Sequence, residues 1–182
     1  MRWEIIKSEL IYRCGIFAVR RDSSRSLTTG QEHDFHVLEA NDWVNVVPLT
    51  PDRGVVMVRQ FRHGIRDLTL EVPAGIIDPT DAAPVGAARR ELREETGYVS
   101  PRVVPLGVVH PNPAIMNNRC HMYVAYDVRR VGAPQWDRTE ELEVETVPLD
   151  QIGGLIRNGA ISNALTLVAF QLLGLAQIQT NP

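Results

Sequence analysis

Between Pro84 and Gly97 the chain carries a helix whose two ends are marked by single residues. Proline suits a first helical turn, where its missing N–H is not needed. Glycine is the residue best able to end a helix in the left-handed conformation. Val85, Ala88 and Leu92 recur at the spacing of one buried face, so the pattern predicts a helix over Pro84–Thr96 with a single apolar stripe. Around it the chain reads mostly as strands. The first 25 residues are strand-like, with Leu10–Arg20 rich in β-branched and aromatic residues, and the polar stretch Arg21–Gln31 predicts a turn region. Further strands are predicted at His33–Ala40, Val44–Leu49, Val55–Phe61, Leu68–Gly75, Val103–Val109, His121–Val128 and Glu140–Val147. Leu149–Arg157 and Ala160–Gln177 read as two closing helices. Strands, helix, strands, helices in that order predict an α/β fold of the α+β kind, a mixed sheet with helices on its faces rather than a strict βαβ array.

Composition excludes several classes. With 182 residues the chain fits one domain and a small appendage. A net charge of −3 and the lack of a basic stripe argue against nucleic acid as a partner. Two cysteines, Cys14 and Cys120, are too few for a disulfide framework, and with His110 and His121 they form no zinc-like spacing. The opening MRWEIIKSELIYRCG is charged and alternating, unlike a signal peptide. The longest apolar run, Ala164–Ala176, is short for a membrane span and is interrupted by Gln171. The expectation is a soluble, cytoplasmic protein with no membrane partner.

The helix raises an electrostatic question. Glu91, Glu94 and Glu95 lie on one side of it at 100° per residue. An ion-paired, solvated surface accounts for such a face, with Arg90 and Glu94 spaced four apart for pairing. Yet Glu91 and Glu95 repel at i, i+4 by roughly 0.2–0.5 kcal/mol. They also stand near the negative end of the helix dipole, where carboxylates are disfavoured. Hard oxygens so placed suit Mg²⁺ or Mn²⁺, ions that keep several waters and are shared with substrate phosphates.

The segment from Gly75 to Tyr98 resembles the Nudix box. Arg90-Glu91-Leu92-Arg93-Glu94-Glu95-Thr96-Gly97-Tyr98 meets every specified position of its second half. The first half departs: Asp81 stands six residues after Gly75 in place of glutamate, and eight residues rather than seven separate it from Arg90. The flanks VVMVRQFRHG, LTLEVPAG, HPNPAIMNNRCHMYVA and EELEVETVPLDQI resemble the ADP-ribose pyrophosphatase branch of that family. The resemblance implies a Nudix α/β/α sandwich over residues 44–182. It also implies a small N-terminal antiparallel sheet over residues 1–43 that pairs subunits into a homodimer.

By the same resemblance the reaction is metal-dependent hydrolysis of the pyrophosphate bond of a nucleoside diphosphate derivative, ADP-ribose to AMP and ribose 5-phosphate. Alternatives are NADH, GDP-mannose or another nucleotide sugar, FAD, a dinucleoside polyphosphate, or a non-catalytic nucleotide-binding module. The cofactor implied is Mg²⁺ or Mn²⁺, with Glu91, Glu94, Glu95 and the carbonyl of Ala74 as ligands. Gly75 leaves the backbone open to the ion. Arg90 orients the carboxylates. The catalytic base is Glu140 or Glu141, before a strand, with Glu94 as its competitor. Arg59 and Arg62, the latter favoured, are candidates for holding phosphate. Glu71 is a candidate for substrate hydroxyls or metal. Pro113, 15 residues after Tyr98, is the proline associated with ADP-ribose-type substrates.

Overall fold

The computed structural model describes residues 2–136 and 141–180. It forms two compact units, Met1–Asp42 with His110–Arg119, and Trp43–Val109 with Cys120–Pro182.

The first unit is an antiparallel sheet of β1 (Trp3–Arg13), β2 (Ala18–Ser26) and β3 (Glu32–Glu39), in that order. Two sequence expectations are corrected here. The strand-like run Leu10–Arg20 is broken by a turn in which the Cys14 N–H bonds the Phe17 carbonyl at 2.9 Å. The supposed turn region from Arg21 instead continues β2 to Ser26, because its polar side chains find partners across the sheet. Ser23 donates to Asp34 at 2.6 Å, Arg25 to Glu32 at 2.8 Å, and Arg21 pairs with Glu9. The reversal comes after Ser26, around Gly30 at φ +73°. The loop His110–Arg119, which carries Pro113, joins β3 through the Leu38 N–H to the Ile115 carbonyl at 2.7 Å.

The second unit holds a four-stranded mixed sheet ordered β7-β4-β10-β9, formed by β4 (Trp43–Pro48), β7 (Ala74–Ile76), β9 (Arg102–Val109) and β10 (Cys120–Tyr126). Only β4 and β10 run parallel; the other two ladders are antiparallel. A three-stranded antiparallel sheet orders β12 (Leu142–Pro148), β5 (Gly54–Arg62) and β6 (Asp67–Glu71). A short ladder pairs β8 (Tyr98–Val99) with β11 (Arg129–Arg130). Helix α1 spans Pro84–Thr96, as the sequence predicts; α2 spans Ile152–Arg157 and α3 Ala164–Thr180. The last helix starts at Ala164 rather than Ala160 because Asn163 caps it, its Oδ1 accepting from the Thr166 N–H at 2.9 Å.

The buried run of β4, apolar but for Asn45, is explained by two cores, one on each face. Val44 and Val46 pack with Ala87, Ala88 and Leu92 of α1 and with Tyr123 and Ala125 of β10. Val47 and Leu49 pack with Met122, Val124, Ala169 and Leu173 on the side of α2 and α3. The result is the α/β/α sandwich. Leu92, 1% exposed, is worth about 1.5–3 kcal/mol in burial, and it presses the carboxylate-bearing helix onto the sheet. Among the described residues no helix is long and apolar enough to cross a membrane.

Candidate active site

The site is built where β7 meets α1. Gly75 lies opposite Val44 in the sheet, and its Cα faces the side chain of Glu91. A Cβ at residue 75 would fall 2.0 Å from Glu91 Oε1. A side chain there would have to displace the Glu91 carboxylate from its present position. Next to it the Ala74 N–H donates to Glu95 Oε2 at 3.0 Å. Glu91 and Glu95 are 8% and 4% exposed, so two like charges share a mostly dry surface. Glu94 is the solvent-facing member, with 40% of its side chain exposed.

Arg90 ties the cluster together. One guanidinium nitrogen donates to Glu91 at 2.8 Å and to Glu94 at 3.0 Å. The other bonds Asp81 at 2.9 Å and the Ile76 carbonyl at 3.0 Å. The hydrogen bond to Asp81, with Glu91 and Glu94 behind it, outweighs the opposing effect of burial and raises the Arg90 pKa well above its ordinary value. Asp81, held below the usual carboxylate range chiefly by Arg90, thus acts as the anchor of that arginine. Its 76–81 loop is closed by the Asp78 N–H on Asp81 at 2.9 Å.

The helix end answers the dipole problem. Gly97 sits at φ +75° and returns its N–H to the Arg93 carbonyl at 2.8 Å. The chain from Val131 to Trp136 then lies along the C-terminus. The Gln135 N–H bonds the Glu94 carbonyl at 2.7 Å and the Trp136 indole N–H the Glu95 carbonyl at 3.0 Å. Donors therefore meet the exposed carbonyls of the last turn.

Arg62 and Glu71, given separate roles from sequence, form one bidentate pair at 2.8 and 2.7 Å. Glu71 is 1% exposed. Burial pushes its carboxyl up, but the hydrogen bonds of Arg62, Thr69 and Asn163 prevail and hold it below the ordinary range. Arg62 also feels Glu95 electrostatically, which sets the pair beside the acidic cluster. Arg59 pairs with Glu145 at 2.6 Å, both half exposed. Glu141 is exposed just before β12, and Glu140 lies outside the described residues. Pro113 is exposed and belongs to the first unit. Cys120 is buried and donates its thiol to Asn45 Oδ1 at 3.1 Å. Asp81, which the sequence marks as the departing acid of the box, holds Arg90, while Gln135 and Trp136 were not legible as parts of this site: their partners lie 41 residues away, at a spacing without a local signal.

Among the described residues, no three carboxylate, imidazole or thiolate groups converge closely enough to cage an ion as they stand. Arg90 accounts for part of this, since it bridges Glu91 and Glu94. The donor set nonetheless fits a hard divalent cation. Asp81, Glu91 and Glu94 present three carboxylates around the guanidinium of Arg90, Glu95 adds a fourth beside Ala74, and Gly75 places no Cβ against Glu91.

Fold and site together define an α/β/α sandwich protein whose chemistry is carried by a carboxylate-rich helix. The NUDIX domain model matches residues 41–168, and the chain belongs to that family and is a Nudix hydrolase. The non-catalytic alternative is set aside. The chain is similar to an ADP-ribose pyrophosphatase of Mycobacterium tuberculosis, with 29% identity over 91% of this chain and 80% of that protein. It is 30% identical to a GDP-mannose pyrophosphatase of Cronobacter sakazakii over 69% of each chain. A crystal structure described as an ADP compounds hydrolase shares the fold, with a TM-score of 0.88, 22% identity, and coverage of 100% of this chain and 97% of that one.

Proposed function

We propose that the chain hydrolyses the pyrophosphate bond of ADP-ribose, giving AMP and ribose 5-phosphate, with Mg²⁺ held by Glu91, Glu94, Glu95 and the Ala74 carbonyl. The observation that carries the metal reading is the closure of Gly75 on Glu91, where backbone approaches a buried carboxylate too closely for any Cβ. When bound, a divalent cation neutralises pyrophosphate charge and acidifies the attacking water. The protein's own groups do the rest. Arg90, anchored on Asp81, sets the orientation of Glu91 and Glu94. Glu94 is the best base among the described residues, because it is exposed and has one hydrogen-bond partner, Arg90. It takes the proton as water oxygen bonds to phosphorus and the anhydride oxygen leaves with the departing phosphate.

Geometry favours Arg59 over Arg62 for holding phosphate. Releasing Arg59 from an exposed pair costs about 0–1 kcal/mol, whereas freeing Arg62 strands a buried Glu71. ADP-ribose is preferred as substrate because the similarity to the mycobacterial ADP-ribose pyrophosphatase runs along nearly the whole chain. GDP-mannose is the second reading, resting on the 30% identity to the enterobacterial enzyme. The N-terminal sheet serves as the homodimer contact in this proposal.

The test is a panel of ADP-ribose, GDP-mannose, NADH, FAD and a dinucleoside polyphosphate with Mg²⁺ or Mn²⁺, products resolved by chromatography. AMP with ribose 5-phosphate supports the first reading. Turnover of GDP-mannose alone moves it to the second. Glu95→Gln should cut turnover by about 10²-fold or more with the fold intact by circular dichroism. A full-rate variant would overturn the ligand assignment.

A further inference from the structure

Positive charge gathers on α1 away from the acidic site. Arg89 and Arg93 share one side of the helix, and Arg93 stands roughly 160° around the axis from Glu91. There α1 borders a cavity of about 500 Å³ walled by Arg89, Arg90, Arg93 and Glu94 over a floor of Leu92 and Val99. Arg90 is taken up by Asp81, Glu91 and Glu94, so the charge available to the pocket is that of Arg89 and Arg93 against Glu94. The position of Arg89 is fixed by its Nη1 bond to the Ser100 carbonyl at 2.9 Å, a neutral partner that leaves the charge uncompensated. Arg93 and Arg129 have no carboxylate partner among the described residues. Arg129 lies directly opposite Val99 in the β8–β11 ladder, on the same face of it.

A second hollow of about 350 Å³ adjoins the first, sharing Arg93 and Gln135, and is lined by Gly132, Ala133 and Pro134. One compartment is cationic and the next is apolar and uncharged apart from Arg93. That pairing matches a molecule with a phosphate at one end and a flat, weakly polar group at the other. Each volume lies in the range of small-molecule pockets, about 300–1,000 Å³. The charge is concave and local in a chain of net charge −3. A nucleic-acid strand would require a basic stripe instead.

We propose that this pocket is a second ligand site, taking the phosphomonoester end of a mononucleotide through Arg89 and Arg93. It adjoins the acidic site on the opposite side of Arg90 and Glu94, and it is independent of which substrate that site cleaves. Guanidinium forks hold phosphate oxygens in pairs. Arg90 and Glu94 line the pocket and also belong to the acidic cluster, so an occupant here lies against the proposed base itself.

The experiment is calorimetric titration of the full chain, kept metal-free by chelator, with AMP. Removing the metal leaves the acidic site carboxylate-rich and repulsive to phosphate, so binding there is suppressed. The expected result is that AMP binds, inorganic phosphate competes with it, and adenosine without a phosphate does not bind. Arg89→Ala and Arg93→Ala should each weaken AMP by about tenfold or more, Arg93→Lys should recover part of the loss, and Glu95→Gln should leave affinity in place. Thermal unfolding of each variant verifies that it folds. No binding of AMP at millimolar concentration, equal binding of adenosine, or unchanged affinity in the folded Arg89 and Arg93 variants would each overturn the proposal.

Discussion

Replacing Gly75 by alanine tests the site most directly. The new Cβ would lie 2.0 Å from Glu91 Oε1 and 2.1 Å from its carboxyl carbon, whereas non-bonded carbon atoms rest about 3.5–4.0 Å apart. Something must move by about 1.5 Å. The backbone is the harder part to shift, because residue 75 pairs with Val44 and the neighbouring Ala74 N–H is bound to Glu95. The carboxylate of Glu91 swings instead. Doing so breaks its 2.8 Å bond with Arg90, a charge-assisted bond worth about 1.5–3 kcal/mol. Alanine gives back about 0.4–1 kcal/mol through the unfolded chain. A net loss of about 1–2 kcal/mol follows, or about 2–8 °C in Tm. Turnover should fall much further, by about 10²-fold or more, since a site group has been displaced by over an ångström. Gly86→Ala is the control: no atom lies within 4 Å of its Cβ position, and in a helix it should gain up to about 1 kcal/mol with turnover unchanged. Thermal unfolding and steady-state rates measure both. If Gly75→Ala kept the wild-type rate, the placement of Glu91 against β7 would be irrelevant to catalysis and the reasoning refuted.

Gly97→Ala should destabilise more than Gly75→Ala. It combines a φ of +75° with a Cβ 2.3 Å from the Gly132 carbonyl oxygen, so the left-handed penalty of about 1–2 kcal/mol adds to a backbone clash; urea unfolding measures the difference. The Arg62–Glu71 pair predicts a pH dependence. Because the folded Glu71 carboxyl titrates below its unfolded value, its stabilisation is complete above about pH 4.3 and is lost as pH falls through the folded pKa. Glu71→Gln should therefore lower stability at neutral pH and flatten the acid limb of a plot of urea midpoint against pH. Arg59→Ala breaks an exposed pair and should cost less than about 1 kcal/mol of stability, while raising KM more than it lowers kcat if Arg59 holds phosphate.

What could be read from the sequence was what is local. Pro84, Gly97 and the stripe Val85, Ala88, Leu92 mark α1 within their own few residues, and the helix has those bounds. The polar half of β2 reads as a turn because its support is non-local: Ser23 and Arg25 look like turn residues until Asp34 and Glu32 are brought opposite them. The same limit hid the site's scaffolding. The three glutamates were visible as an oddity near the negative end of a helix. The groups that make them tolerable there were not: the Ala74 N–H, 21 residues away, and the Trp136 indole, 41 residues away, arrive through the fold. Asp81 read as a departure from the family pattern, and only the structure shows it gripping Arg90.

The two-sided burial of β4 has a consequence for the precision of the site. Gly75 is registered opposite Val44 through the sheet, and the helix carrying Glu91 is seated on the core that includes Val44 and Val46. Both halves of the contact between backbone and carboxylate are thus measured from the same short stretch. A one-residue slip of β4 would exchange its two cores, so packing on each face holds that reference still. A change of volume at Val44, a residue that touches neither substrate nor ion in the proposed mechanism, alters the gap between Gly75 and Glu91 from both directions at once. Tolerance to substitution should therefore be lower along this buried valine strand than among the exposed arginines of the same helix-and-sheet unit.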